Sequence, residues 1–136
     1  MLAIAKRRAG QAGASEWVDL QVGDAAQLPF EADCFHAVFL SFTLELFDTP
    51  EIPLVLEQCR RVLRPGGRIG LVAMVRPERP GFAVRLYEWC HARWPAMVDC
   101  RPIHAREVLQ EAGFHIEIAK RLVMWGLPVD VIRAHK

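Results

Sequence analysis

A strand–helix–strand unit in the middle of the chain constrains the fold most. Residues 37–42 form an apolar run of strand length. A threonine–proline pair at 49–50 predicts a helix N-cap at Thr49, and apolar side chains then recur at helical spacing up to Leu63. Pro-Gly-Gly at 65–67 ends this helix, and the apolar run 68–75 is typical of a strand covered on both faces. The order predicts a right-handed parallel crossover in an α/β protein.

Further elements are predicted on the N-terminal side of this unit. Residues 1–9 are good helix formers with an apolar face, and Gly10 and Gly13 stop the helix. Residues 17–22 alternate apolar and polar side chains, which predicts a strand.

On the C-terminal side, residues 104–112 are predicted to be helical and Gly113 to close that helix. Strands are predicted at 115–124 and 129–134. A Gly-Leu-Pro connection at 126–128 fits a hairpin, so these last two strands should be antiparallel. The predicted sheet is therefore mixed.

Composition indicates one globular domain over residues 1–136. With 52% hydrophobic residues and a net charge of +1, the chain has the character of neither a disordered nor a nucleic-acid-binding protein. The longest nearly uncharged stretch, 37–44, is far shorter than the ~20 residues that span a bilayer, and no signal-peptide pattern is present. We expect a cytoplasmic protein whose four cysteines are reduced.

A candidate ligand site begins at Gly23-Asp24, directly after the predicted strand 17–22. At the carboxyl edge of an α/β sheet, a glycine allows close backbone approach and an aspartate can accept hydrogen bonds from a nucleoside. The alternative is that Asp24 makes only a local turn or capping bond.

Several motifs in order strengthen the ligand interpretation. Leu-Pro-Phe at 28–30, Asp-Cys-Phe at 33–35 and Arg-Val-Leu-Arg-Pro-Gly-Gly at 61–67 follow Gly23-Asp24. Their order and spacing resemble those of class I S-adenosylmethionine-dependent methyltransferases, nearest to the ubiquinone and menaquinone biosynthesis methyltransferases. The resemblance extends over nearly the whole chain and implies a Rossmann-like fold with an antiparallel C-terminal strand pair.

The resemblance implies S-adenosylmethionine as the cofactor. Asp24 matches the acidic position that contacts the adenine amino group, and Leu28 would lie against the adenine face. Ser41 and Phe42 match the segment that passes the methionine portion. The implied cofactor-binding residues are Gly23, Asp24, Ala25, Leu28, Ser41 and Phe42.

On the acceptor side, the resemblance places Glu45 where a substrate cleft opens and a substrate lid at 77–103, with Tyr87 and Trp89 as candidate contacts. Solvation of Glu45 and plain packing of the aromatic side chains are the alternatives. Methyl transfer depends chiefly on proximity and orientation, and the sequence nominates no catalytic base. A small-molecule acceptor, which could be a quinone precursor, is implied.

Two other interpretations of local motifs fail. Pro-Gly-Gly at 65–67 lacks the lysine and preceding strand of a P-loop, so its glycines are interpreted as conformational and Arg64 and Arg68 as solvated flanks. His91, Cys100 and His104 do not have the spacing of a complete ligand set, so no metal site is expected. His36 stands where the family often has aspartate.

The family's first strand, glycine-rich loop and ribose-binding acid have no counterpart in the 136 residues. We therefore expect an N-terminally truncated fold that lacks its first two strands and, alone, binds S-adenosylmethionine weakly. The alternative is an inactive methyltransferase-like domain that serves as an interaction module and homo-oligomerises through exposed strand edges. A dehydrogenase fragment, a third possibility, is disfavoured by the antiparallel strand pair.

Overall fold

The structure, a computed structural model, describes residues 2–75, 103–124 and 126–136. Its described elements are, in chain order, α1 (Leu2–Gln11), β1 (Phe35–Ser41), a 3₁₀ turn (Leu44–Leu46), α2 (Ile52–Val62), β2 (Leu63–Met74), α3 (Ala105–Glu111), β3 (His115–Met124) and β4 (Leu127–His135).

The strands of the described residues form one mixed sheet in the order β1-β2-β4-β3. β1 runs parallel to β2, with Ser41 opposite Val72, and α2 provides the crossover. β4 is antiparallel to both β2 and β3. The predicted α/β class, the parallel crossover and the antiparallel C-terminal pair are therefore confirmed.

Pro-Gly-Gly at 65–67 lies within β2 rather than between the helix and the strand, and its two glycines are of different kinds. Gly66 has a φ of +71°, so it supplies the left-handed conformation that the sequence predicted for this turn. Gly67 is required for space instead, since a Cβ there would lie 2.8 Å from the carbonyl oxygen of Arg64.

The predicted N-cap of α2 is wrong. The helix begins at Ile52 and its N-cap is Glu51, not Thr49. Thr49 falls in a turn that closes when the backbone N–H of Glu51 donates to the carbonyl of Asp48, 2.8 Å away. The Glu51 carboxylate accepts the backbone N–H of Asp48, so the chain is already ordered before the helix starts.

The strand predicted at residues 17–22 is also wrong. This segment makes no ladder with the sheet in the described residues, and Trp17 and Val22 are 86% and 84% exposed. An alternating pattern forms a strand only when a neighbouring strand satisfies its backbone groups, and none lies beside this segment in the described part of the chain. Within these residues β1 is consequently an edge strand.

The core lies between one face of the sheet and helices α2 and α3. Leu56 on α2, Leu71 on β2, Leu109 on α3 and Ile132 on β4 belong to one buried cluster. The opposite face of β2 is only partly covered, since Gly70 and Val72 are half-buried. The expectation that helices cover both faces of this strand therefore fails for the described residues.

Candidate functional site

The carboxyl ends of β1 and β2 meet at one edge of the sheet, where the chain bends sharply. Phe42, directly after β1, has a φ of +49°, a conformation rare for a bulky side chain. Its backbone N–H donates to the carbonyl of Val72 at 2.8 Å. The Thr43 hydroxyl donates to the carbonyl of Ser41 at 3.1 Å, which stabilises the bend. Strained backbone of this kind is concentrated at ligand sites.

Glu45 lies behind this bend and is only 1% exposed. Its Oε1 accepts the backbone N–H of Met74 at 2.6 Å, and its buried Oε2 has no hydrogen-bond partner among the described residues. Burial raises the pKa of the Glu45 carboxyl above its ordinary value near 4.5, although the hydrogen bond from Met74 opposes this shift. The general expectation that a carboxylate opening a loop is solvated therefore does not hold for Glu45.

The raised pKa of Glu45 predicts a pH-dependent stability. Because the folded-state pKa lies above that of the unfolded chain, the stabilising contribution is full below about pH 4.5 and is lost as the pH rises through the folded-state value. Glu45→Gln removes the titrating carboxyl. Urea unfolding between pH 4.5 and 8 should therefore show a smaller fall in the free energy of unfolding than in the wild type. Glu57→Gln, at an exposed position on α2, is the control and should keep the wild-type slope. A wild-type slope in Glu45→Gln would contradict the prediction.

Asp24 lies in an exposed turn rather than at the end of a strand. Its Oδ1 accepts the backbone N–H of Ala26 at 2.9 Å, and its carbonyl accepts the N–H of Gln27 at 3.1 Å. The local turn bond considered as an alternative is therefore present, yet the carboxylate remains at the surface. Gly23 is exposed and lines a groove against α1, whereas Ala25 packs partly on the core.

Arg61 of α2 holds the loop that follows this turn, a role that the sequence analysis missed. Its Nη2 donates to the carbonyl of Leu28 at 2.9 Å and its Nη1 to that of Phe30 at 2.7 Å. The backbone N–H of Asp33 donates in turn to the carbonyl of Arg61 at 3.0 Å. The signal was available, since the Leu-Pro-Phe and Arg-Val-Leu-Arg-Pro-Gly-Gly motifs that carry the family resemblance contain Leu28, Phe30 and Arg61.

Arg64 is not merely a solvated flank, as the sequence analysis expected. Its Nε donates to the carbonyl of Asp33 at 3.2 Å, and its Nη1 lies 2.7 Å from Nε2 of His36. Because arginine can only donate, Nε2 of His36 must be the acceptor, which requires the Nδ1-protonated neutral tautomer. His36 thus takes part in fixing the Asp33 loop.

The described contacts do not join the two halves of the predicted cofactor site. Ser41 and Phe42 lie at the bend after β1, whereas Gly23, Asp24 and Ala25 lie in and before the turn. Of the predicted cofactor-binding residues, Arg61 ties Leu28 alone to α2. Tyr87, Trp89, His91 and Cys100 lie outside the described residues, as does nearly all of the predicted lid at 77–103.

The described residues on either side of 76–102 lie together. Val75 and Ile103 form an isolated parallel bridge, and the N–H of Ile103 donates to the carbonyl of Met74 at 3.0 Å. The chain therefore leaves β2 and returns at the same edge of the sheet that carries the Phe42 bend.

Within residues 2–75, 103–124 and 126–136, no group of three or more histidine, cysteine or acidic side chains is arranged to hold a metal ion. Within the same ranges no helix is long and apolar enough to cross a membrane.

Solved structures share this architecture. The structure of the [4+2]-cyclase SpnF matches 99% of this chain and 62% of its own, with 22% identity and a TM-score of 0.77. A SAM-dependent methyltransferase from Methanosarcina mazei matches 99% of this chain and 76% of its own, with 19% identity and a TM-score of 0.75. The fold is the Rossmann-like fold of class I methyltransferases.

Sequence comparisons point to the same family. The family described as "Methyltransferase domain" matches residues 1–67. The 2-phytyl-1,4-naphtoquinone methyltransferase of Synechococcus elongatus is 42% identical over 80 residues, which are 59% of this chain and 34% of the relative. The demethylmenaquinone methyltransferase of Mycolicibacterium paratuberculosis is 31% identical over 114 residues, which are 84% of this chain and 46% of the relative.

The chain is similar to class I S-adenosylmethionine-dependent methyltransferases, near the ubiquinone and menaquinone biosynthesis methyltransferases. It spans between a third and a half of the length of the curated relatives described above.

Proposed function

We propose that this chain contributes the adenine side and the methionine-facing bend of a cytoplasmic small-molecule methyltransferase. The observation that carries the proposal is the strained Phe42 bend at the open carboxyl edge of β1 and β2. Ligands of open α/β sheets bind at such an edge. The family match over residues 1–67 includes both this bend and the Asp24 turn.

The residues present fit the cofactor in part. The surface carboxylate of Asp24 can accept hydrogen bonds from an adenine amino group, and half-buried Leu28 offers an apolar surface for the ring. Ser41 and Phe42 would border the methionine portion. When bound, S-adenosylmethionine supplies an electrophilic methyl group on a sulfonium sulfur, and the protein's part is to orient donor and acceptor.

For the acceptor we propose a quinone precursor, because similar proteins are named 2-phytyl-1,4-naphtoquinone methyltransferase and demethylmenaquinone methyltransferase. Tyr87 and Trp89, in a lid at 77–103, are proposed to contact its ring. Glu45 is proposed to belong to the acceptor side of the site, where its side chain lies beneath the surface. We nominate no catalytic base among these residues.

Cofactor binding is tested by titrating the isotope-labelled chain with S-adenosylmethionine and following backbone amide signals. We expect weak saturable shifts at Ala25, Ala26 and Phe42, since the chain has no glycine-rich Gly-x-Gly-x-Gly loop to hold the methionine carboxylate. Asp24→Ala should reduce the affinity about tenfold, as expected for a lost hydrogen bond to a charged group.

Asp19→Ala is the matched control, since Asp19 is an exposed aspartate on the same segment whose Oδ2 binds only the nearby Gln21 side chain among the described residues. It should leave the affinity unchanged. Micromolar binding in calorimetry would contradict the expected weakness, and the absence of shifts at millimolar ligand would overturn the cofactor proposal.

One observation favours a second candidate function: among the described residues, β1 is an edge strand that pairs only with β2. Phe39, in the middle of this edge strand, is 68% exposed. Unpaired strand edges with apolar side chains promote association. In this alternative the chain is an inactive interaction module that forms homo-oligomers through β1.

Sedimentation velocity over a range of concentrations distinguishes the two functions. The module predicts a concentration-dependent dimer that Phe39→Lys disperses, whereas Ile118→Lys on β3, at 41% exposure, should not. A monomer at all concentrations that still responds to S-adenosylmethionine would exclude the module.

A further inference from the structure

The hydrogen-bond ladder between β1 and β2 ends in an unusual way. In a parallel pair the rungs follow a regular order, so the rung from the Phe42 N–H to the Val72 carbonyl should be followed by one from the Met74 N–H to the Phe42 carbonyl. The Met74 N–H instead donates to Oε1 of Glu45 at 2.6 Å. A side chain has taken the place of a backbone acceptor.

The bend at Phe42 explains the replacement. With a φ of +49° the chain turns out of the sheet after this residue, and it enters the 3₁₀ turn Leu44–Leu46 within two residues. Leu44 is fully buried and anchors the turn, which puts the neighbouring Glu45 side chain beneath the sheet edge. Its carboxyl group can then reach Met74 from inside the protein.

We propose that Glu45 is a positioning residue: its carboxyl substitutes for the Phe42 carbonyl in the ladder and thereby holds residues 41–43 in the bent conformation. The hydrogen bond from Met74 to Glu45 stabilises the bend, because a buried Met74 N–H without an acceptor would cost free energy and favour straightening of the strand. The cofactor-facing part of this role rests on the proposed function.

Glu45 acts on a second element through the same bond. Met74 is fixed on both sides, since its N–H donates to Glu45 and its carbonyl accepts the N–H of Ile103 at 3.0 Å. Glu45 therefore holds the residue to which Ile103 is hydrogen-bonded.

The protonated, uncharged form of the Glu45 carboxyl suits this positioning role. Oε2 is buried without a partner in the described part of the chain, an arrangement unfavourable for a carboxylate. Glutamine has the shape of a protonated glutamic acid and keeps a carbonyl oxygen to accept the Met74 N–H. Alanine removes the acceptor altogether, so the two substitutions separate the hydrogen bond from the charge.

The test compares Glu45→Gln and Glu45→Ala by amide hydrogen exchange and backbone chemical shifts. We expect the Met74 amide to be protected in the wild type and in Glu45→Gln, and to exchange about tenfold faster in Glu45→Ala. The Phe42 shifts should report positive φ in the first two proteins only. Leu44→Ala, a neighbouring buried substitution that keeps the carboxyl, controls for lost global stability.

A Met74 amide equally protected in Glu45→Ala, or an unprotected one in Glu45→Gln, would overturn the ladder substitution. Retained positive φ at Phe42 in Glu45→Ala would overturn the positioning role. These readouts need no ligand. If they behave as expected while the wild type fails to respond to S-adenosylmethionine, the proposed function fails and the structural role of Glu45 stands.

Discussion

Leu71→Ala is expected to lower the free energy of unfolding by about 3 kcal/mol. Leu71 lies at the centre of β2 with no exposed surface, and it belongs to the cluster that joins the sheet to α2 and α3. Removing most of its side chain loses apolar burial and leaves a cavity that the flanking strands β1 and β4 cannot fill, because their hydrogen bonds hold them in register.

Urea unfolding followed by circular dichroism measures the change. Leu54→Ala makes the same chemical change on α2, where Leu54 is 50% exposed, and should cost less than about 1 kcal/mol. Equal losses in the two variants would mean that β2 is not at the centre of the core.

The second large effect is expected for Gly67→Ala, which should cost about 2 kcal/mol. The new methyl carbon would lie 2.8 Å from the Arg64 carbonyl oxygen and 3.1 Å from Cδ2 of buried Leu63. Backbone cannot move aside as a flexible side chain can, so the first residues of β2 must shift. That shift would disturb the Arg64 contacts to the Asp33 loop as well.

Gly23→Ala is the matched control, because a Cβ at Gly23 meets nothing within 4 Å and this glycine has no positive φ. It should change the free energy of unfolding by less than about 0.5 kcal/mol. Both variants are compared with the wild type in the same urea titration. An unchanged free energy of unfolding in Gly67→Ala would show that a Cβ fits at residue 67, contrary to the distances in the structure.

Fold and chemistry are separable in this architecture. A [4+2]-cyclase shares the architecture with a TM-score of 0.77, so the sheet and its helices do not by themselves determine the reaction. The relatives named as quinone methyltransferases are what support methyl transfer as the proposed activity.

Where sequence reasoning failed, it treated local signals as sufficient. Thr49 has a side chain suited to an N-cap, but it lies in the turn at 48–51. The helix begins after this turn, so Glu51 is the N-cap residue. Residues 17–22 have a strand pattern without a neighbouring strand to pair with in the described part of the chain. The first error reflects a competing local turn, and the second a partner strand that would have to lie outside the segment.

The sequence alone determined the elements whose signals are local and strong. The helical spacing over α2, the Gly-Leu-Pro connection that joins β3 and β4 in a hairpin, and the motif order that carries the family resemblance all depend on residues near one another in the chain. The tertiary structure alone decided which groups meet across distance. Arg61 holds the loop at 28–30, and Glu45 reaches Met74, because the crossover brings distant segments to one edge of the sheet. Burial and hydrogen-bond partnership are properties of that packing, so no local pattern could specify them.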